Sequence, residues 1–223
     1  MININPCNGV TPPKKDTKKM NVLNDNEAKM LLEGAKDHPI HIVIFLAITC
    51  GLRRGEILGL QWEDIDFNNK MIHLKNNMVQ ADGESILKDT KTATRKRSIA
   101  LPQNVVEQLK QVRKNQIRYS LVYGEDYEIN NFVCTWPDGK PFRPDYITQA
   151  FPKVLKSLGL PNIRFHDLRH THATLLLVQG IHPKVVQERL GHSKISITLD
   201  TYSHILPNMQ QEAAEKIDEL FQG

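Results

Sequence analysis

Apolar residues recur at helical spacing along most of the chain and switch to alternation in one stretch near its middle. Ala28, Leu31, Leu32 and Ala35 fall three and four apart behind Asn24 or Asp25, which predicts a capped helix. Residues 40–49 are apolar nearly all round, as expected of a helix buried on every side. Gly51 breaks that run, and residues 54–60 predict a short helix. Alternation then takes over. Residues 71–75 alternate, 78–80 and 84–88 flank a turn at Asp82-Gly83, and 97–101 follow a polar turn. Together they predict one small antiparallel sheet with a hairpin. Val105, Leu109, Val112 and Gln116 restore the helical period. Residues 131–136 predict one more strand, closed by Pro137-Asp138-Gly139. Helices are predicted over 145–158, 166–178, 184–190, 194–200 and 208–221. The expected fold class is α+β, mainly helical. Residues 1–20, with Pro6, Pro12, Pro13 and four lysines, lack apolar periodicity and read as an extended linker. A linker there points to a further domain ahead of it in a longer protein.

Composition narrows this picture. The 223 residues, 40% of them apolar, suffice for a core without covalent staples, and they exclude disorder throughout. The three cysteines, Cys7, Cys50 and Cys134, are an odd number and form no Cys-x-x-Cys. That argues against a disulfide framework or a cysteine zinc site and favours a reducing compartment. The longest apolar run, residues 40–52, is interrupted by His41 and Thr49 and is too short to span a bilayer. No signal-peptide pattern precedes it. The net charge is only +4, but it is unevenly placed. Residues 88–118 hold nine lysines and arginines against Asp89 and Glu107, whereas residues 206–223 carry four carboxylates against Lys216. A basic stretch of this kind is either a solvated face or a surface for a polyanion.

Five stretches carry more polar chemistry than a core tolerates. Residues 49–56 place Arg53, Arg54 and Glu56 just after a buried helix and a glycine turn; alone, they fit a helix start with a local ion pair. Residues 88–101 put Lys91, Arg95, Lys96 and Arg97 on a predicted hairpin, which suits either a solvated turn or entry into a DNA groove. Residues 166–172 begin a helix with His166, Arg169, His170 and His172. His166 and Arg169, three apart, share a face near a helix N-terminus, where an anion is favoured. His166 and His170 also have the spacing of a zinc-binding His-Glu-x-x-His, but Asp167 replaces the glutamate and Arg169 adds a cation. Residues 190–193 follow a helix stop with His192, and residues 200–204 contain Tyr202.

The order Arg…Lys…His-x-x-Arg…His…Tyr resembles the tyrosine recombinase (phage integrase) family. The resemblance spans residues from about 21 to 206 and rests on Thr49-Cys50-Gly51-Leu52-Arg53, Lys91-Thr92, residues 166–173, residues 190–193 and Tyr202. Within the family it looks most like integrases of conjugative transposons and temperate phages of low-GC bacteria. Cys50 stands between Thr49 and Gly51, where the family commonly has Thr-Gly. The resemblance implies that residues 21–206 form the catalytic domain, that 1–20 lead from a core-binding domain, and that 207–223 form a C-terminal helix docking in cis or in trans.

By position, the resemblance makes Arg53 the first arginine, with Glu56 as its acidic support. Lys91 becomes the hairpin lysine, with Lys88 and Lys96 as competitors, and His166 and Arg169 the His-x-x-Arg pair. His192 becomes the third-motif histidine and Tyr202 the nucleophile. DNA contacts are expected from Arg95, Lys96, Arg97, Arg143, Arg164, Lys184 and Lys194. The implied activity is site-specific cleavage and rejoining of double-stranded DNA through a 3′-phosphotyrosine, without metal or other cofactor. It would be carried out by a homo-oligomer on DNA, a tetramer in the full synapse, in the bacterial cytoplasm at the nucleoid. Such chemistry must stabilise extra negative charge on phosphorus, which arginine forks suit. It must also supply a tyrosinate from a group of pKa about 10 and protonate the leaving 5′-oxygen. A type IB topoisomerase would use similar groups. A zinc hydrolase and a non-enzymatic DNA-binding module are the readings from other classes.

Overall fold

The computed structural model describes residues 21–81, 83–89, 97–202 and 209–221. Helix α1 (Asp25–Gly34) starts with a reciprocal capping box, in which Asn24 accepts from the Glu27 amide and Glu27 accepts from that of Asn24. Helix α2 (His41–Cys50) buries Ile42, Val43, Ile44, Leu46, Ala47, Ile48 and Cys50, and is the centre of the main core. It ends at Gly51, whose φ of +65° is the left-handed C-terminal turn that glycine adopts without strain. A Cβ there would also lie 2.5 Å from the His172 ring, so the turn and the close approach both require glycine. Helix α3 (Arg54–Leu58) follows.

The strands form two sheets rather than the one expected. Strands β1 (Ile65–Asp66), β2 (Met71–Leu74) and β5 (Arg97–Ala100) make an antiparallel sheet in the order β1-β2-β5. Strands β3 (Asn76–Ala81) and β4 (Glu84–Asp89) make a separate hairpin, with Val79 opposite Ile86. The chain after the hairpin therefore returns to β2, not to β4. Residues 131–136 form only isolated bridges, Gln61 with Phe132 and Thr135 with Pro141. The reason lies in Gln116. Its amide donates to Phe132 O and Val133 O at 3.2 Å, main-chain acceptors that a strand neighbour would use, and to the Thr135 hydroxyl at 2.9 Å. Gln116, expected on an apolar stripe, is thus a polar clasp; its own Oε1 accepts from Trp62 Nε1.

The remaining helices are α4 (Gln103–Tyr123), α5 (Pro144–Ser157), α6 (Asp167–Val178), α7 (Pro183–Leu190), α8 (Ile195–Tyr202) and α9 (Met209–Phe221). Helix α6 packs on α2. A smaller cluster, Ala173, Leu177, Val186 and Leu190, joins α6 to α7. Among the described residues no helix is long and apolar enough to cross a membrane. Cys50 and Cys134 are buried free thiols, and burial pushes Cys134 up to about 12. Cys7 and the linker expected at 1–20 lie outside the described residues.

Candidate active site

Arg53 sits at the N-cap of α3 in an extended conformation. Its backbone N–H donates to Glu56 Oε2 at 2.8 Å and its Nη1 to Oε1 at 2.7 Å, so the local sequence folds the arginine onto its own helix start. The side chain keeps 36% of its surface exposed, while Glu56 is buried. Glu56 has a second partner that the sequence did not announce. Arg97, at the start of β5, donates Nη1 to Oε1 at 2.8 Å and Nη2 to Oε2 at 3.0 Å. Burial alone would push the Glu56 pKa up. The fork and charge of Arg97, helped by Arg53, outweigh it and hold the carboxyl at about 2.

Arg97 was expected to contact DNA; its surroundings correct that expectation. Only 8% of its side chain is exposed, its two Nη groups are held by Glu56, and its Nε donates to Arg189 O at 3.0 Å. Strand alternation carries the signal that was missed, because Arg97 lies two residues before buried Ile99 and so on the inward face of β5.

Arg169, on α6, is almost fully buried. Its Nη1 donates to Gly51 O at 2.7 Å and its Nη2 to Leu190 O. It therefore ties the turn after α2 to the end of α7. His166 is the exposed residue at the start of α6, and its ring meets that of His170 edge to face at 5.2 Å. Partial burial, then the charges of Arg169 and Arg53, lower its pKa; Asp167 opposes them. His192 follows Gly191, and its Nδ1 lies 2.9 Å from Thr198 Oγ1. Burial first, then Arg169, Arg53, His170 and Arg97, bring His192 down to about 4. Both histidines thus lie in the field of the same two arginines. Among the described residues no three His, Cys, Asp or Glu side chains are grouped to hold a metal ion.

His172, the third histidine of its stretch, is structural. Its Nδ1 bonds Ile48 O at 2.7 Å, its Nε2 accepts from Arg189 Nε at 3.1 Å, and burial with the Arg189 charge lowers its pKa to about 4. Arg189 further donates to Ala100 O and Thr49 O. Tyr202 ends α8, and its side chain lies outside what is described. Lys91, Arg95 and Lys96 also lie outside the described residues. Of the other expected DNA contacts, Arg143, Arg164, Lys184 and Lys194 are exposed. Arg143 reaches Gly83 O and Asp145, Arg164 pairs with Asp167 at 2.8 Å, and Lys184 with Glu188 at 3.4 Å.

Two braced guanidiniums thus bear on two histidines, an arrangement suited to a phosphate group. Residues 21–209 match the model of the phage integrase family. The chain belongs to that family. It is 33% identical to a tyrosine recombinase XerC-like protein of Caldanaerobacter subterraneus subsp. tengcongensis, across 97% of this chain and 60% of that protein. It is 30% identical to the ICEBs1 integrase of Bacillus subtilis, across 97% and 59%. The chain thus spans about three-fifths of the length of these relatives. Among solved structures, the Tn1549 transposon integrase in complex with transposon right end DNA superposes with a TM-score of 0.76 at 22% identity, over 94% of this chain and 69% of that one. The catalytic domain of bacteriophage HP1 integrase does so with a TM-score of 0.56 at 16% identity, over 88% and 95%. These likenesses establish the catalytic-domain fold of the tyrosine recombinases.

Proposed function

We propose that residues 21–206 are the strand-cutting and strand-joining domain of a site-specific DNA recombinase. The observation that carries this is the convergence of Arg53 and Arg169 on His166 and His192, four side chains drawn from three separate parts of the sequence. In this reading the scissile phosphate lies between the two guanidiniums. Arg53 is braced by Glu56, and Arg169 by two backbone carbonyls, so their charge is aimed before substrate arrives. Tyr202 Oη attacks phosphorus while the bond to the 5′-oxygen breaks. His166, its pKa lowered by partial burial and then by the neighbouring arginines, takes the tyrosine proton. His192 donates a hydrogen bond to a non-bridging oxygen, and Lys91 protonates the leaving 5′-oxygen. The product is a 3′-phosphotyrosine and a free 5′-hydroxyl. Attack by a 5′-hydroxyl from another strand reverses the steps and rejoins DNA with no outside energy source.

The partner is double-stranded DNA. Arg95, Lys96, Arg143, Arg164, Lys184 and Lys194 meet its phosphates, and the protein acts as a homo-oligomer, tetrameric in the synapse, at the bacterial nucleoid. Residues 1–20 lead from a core-binding domain. Helix α9, with Ile217, Leu220 and Phe221 exposed, docks on a second copy.

A nicked suicide substrate carrying element-end DNA tests the proposal. In EDTA the protein is expected to form a covalent DNA adduct that survives denaturation, and Tyr202→Phe to form none. An adduct that persists in Tyr202→Phe removes Tyr202 from the mechanism. Relaxation of supercoiled plasmid lacking any such site would favour a topoisomerase instead.

A further inference from the structure

His192 is pinned on three sides. Its backbone N–H donates to Gln187 O at 3.1 Å, and its carbonyl accepts from Gln187 Nε2 at 2.8 Å. The ring is held at Nδ1 by Thr198 Oγ1 at 2.9 Å. Thr198 is 0% exposed. A threonine within a helix commonly returns its hydroxyl proton to the carbonyl four residues back, as Thr49, Thr148 and Thr171 do here. Thr198 has no such bond; among the described residues its hydroxyl meets only His192. Were Nδ1 the donor in this pair, the buried hydroxyl proton would have no acceptor among those residues, an arrangement proteins avoid. The hydroxyl is therefore the donor and Nδ1 the acceptor. Burial, with the surrounding arginine charges, keeps the ring neutral, so its single proton sits on Nε2, the nitrogen left to meet an anion.

We infer that Thr198 is a positioning residue for the strand-transfer reaction: its hydroxyl fixes the His192 proton on Nε2, facing the phosphate, and ties that imidazole to the helix that carries Tyr202. Thr198 and Tyr202 are four residues apart on α8, one turn along the same side of the helix backbone. A displacement of α8 that moved the nucleophile would thus also break the bond that sets the His192 tautomer. The phosphate-binding histidine and the nucleophile are then competent together or not at all. The inference rests on the recombinase reading above.

Thr198→Val removes the hydroxyl at nearly constant shape, and Thr198→Ser restores it. The tautomer of His192 is read by nitrogen NMR on the free protein, and the cleavage rate on the suicide substrate at saturating DNA. The parent and Thr198→Ser are expected to show the Nε2–H form. Thr198→Val is expected to show a mixture of tautomers and cleavage about tenfold slower, the size of one net hydrogen bond. DNA affinity and melting temperature should stay near the parent's. The inference is overturned if Thr198→Val keeps the single tautomer and the parental rate, or if Thr198→Ser is as slow as Thr198→Val. Absence of any adduct in the parent would instead defeat the recombinase reading, while the tautomer comparison would still decide the hydrogen bond.

Discussion

Glu56 offers the sharpest test of how the site is held. It is a buried carboxylate shared by Arg53 and by Arg97, which is itself buried. Replacing it with glutamine keeps the shape but removes the charge and turns an amide N–H₂ towards a guanidinium. Two independent routes give the cost. The carboxyl pKa falls from 4.5 to about 2, which corresponds to about 3 kcal/mol of stabilisation at neutral pH. Breaking a buried ion pair on one side costs roughly 3–5 kcal/mol, because the remaining charge is stranded. For a domain of this size that lowers the melting temperature by roughly 6–20 °C.

The sign with pH follows from the depressed pKa. The Glu56 contribution is complete above 4.5 and is lost as pH falls towards 2. Thermal and urea unfolding of the parent and Glu56→Gln, at pH 7 and at steps between 4.5 and 2, should therefore show a gap that closes in acid. Adding Arg97→Met to Glu56→Gln should restore part of the loss, since the orphaned charge goes with it. A Glu56→Gln protein melting within 2 °C of the parent at pH 7, with the same acid profile, would refute the reasoning.

Two other perturbations probe the site and its assembly. Arg53→Lys keeps the charge but loses the fork, so covalent adduct formation should fall by at least about a hundredfold with little change in DNA affinity by gel shift; parental activity would make Arg53 purely structural. Deleting 208–223 should weaken cooperative assembly on DNA, read as loss of higher-order complexes on paired sites, and change cleavage by a single bound protomer; unchanged assembly and cleavage would reduce α9 to a passive cap.

Helical periodicity placed the helices to within a residue or two wherever an apolar stripe or a glycine stop was present, as in α1, α2 and α7. The sheets were less legible. Which strand follows which is local information, but the return of β5 to β2 past the hairpin depends on long-range pairing that no window of sequence contains. Residues 131–136 were misread for a related reason, since their carbonyls answer to a glutamine side chain from α4. At the site, Arg53, His166, Arg169 and His192 stood out because each lies in a short polar cluster beside a glycine or a helix start. Arg97 stood in a run of exposed-looking cations, and only the inward phase of its strand separated it from them. Thr198 gave no signal at all, because a threonine on a helix looks the same whether it caps, packs or orients a histidine.

The arginines of the interior and its margin also explain how segments far apart in sequence meet at one site. Arg169 grips the carbonyls of Gly51 and Leu190. Arg189 grips those of Thr49 and Ala100, and its own carbonyl accepts from Arg97. Arg97 then closes the chain of contacts onto Glu56, and with it Arg53. The frame has a price: cations are gathered where burial weakens their hydration, and Arg169, Arg53 and Arg97 all press on His192 with positive charge. A bound phosphate relieves that repulsion, and an oxyanion bearing additional charge relieves it further. The cost of holding the guanidiniums together is met during folding, by Glu56 and by backbone carbonyls that need no DNA to be in place. What remains unbalanced in the free protein is therefore a positive field which, on the recombinase reading proposed above, is already aimed at the charge that would develop as a phosphodiester is cut.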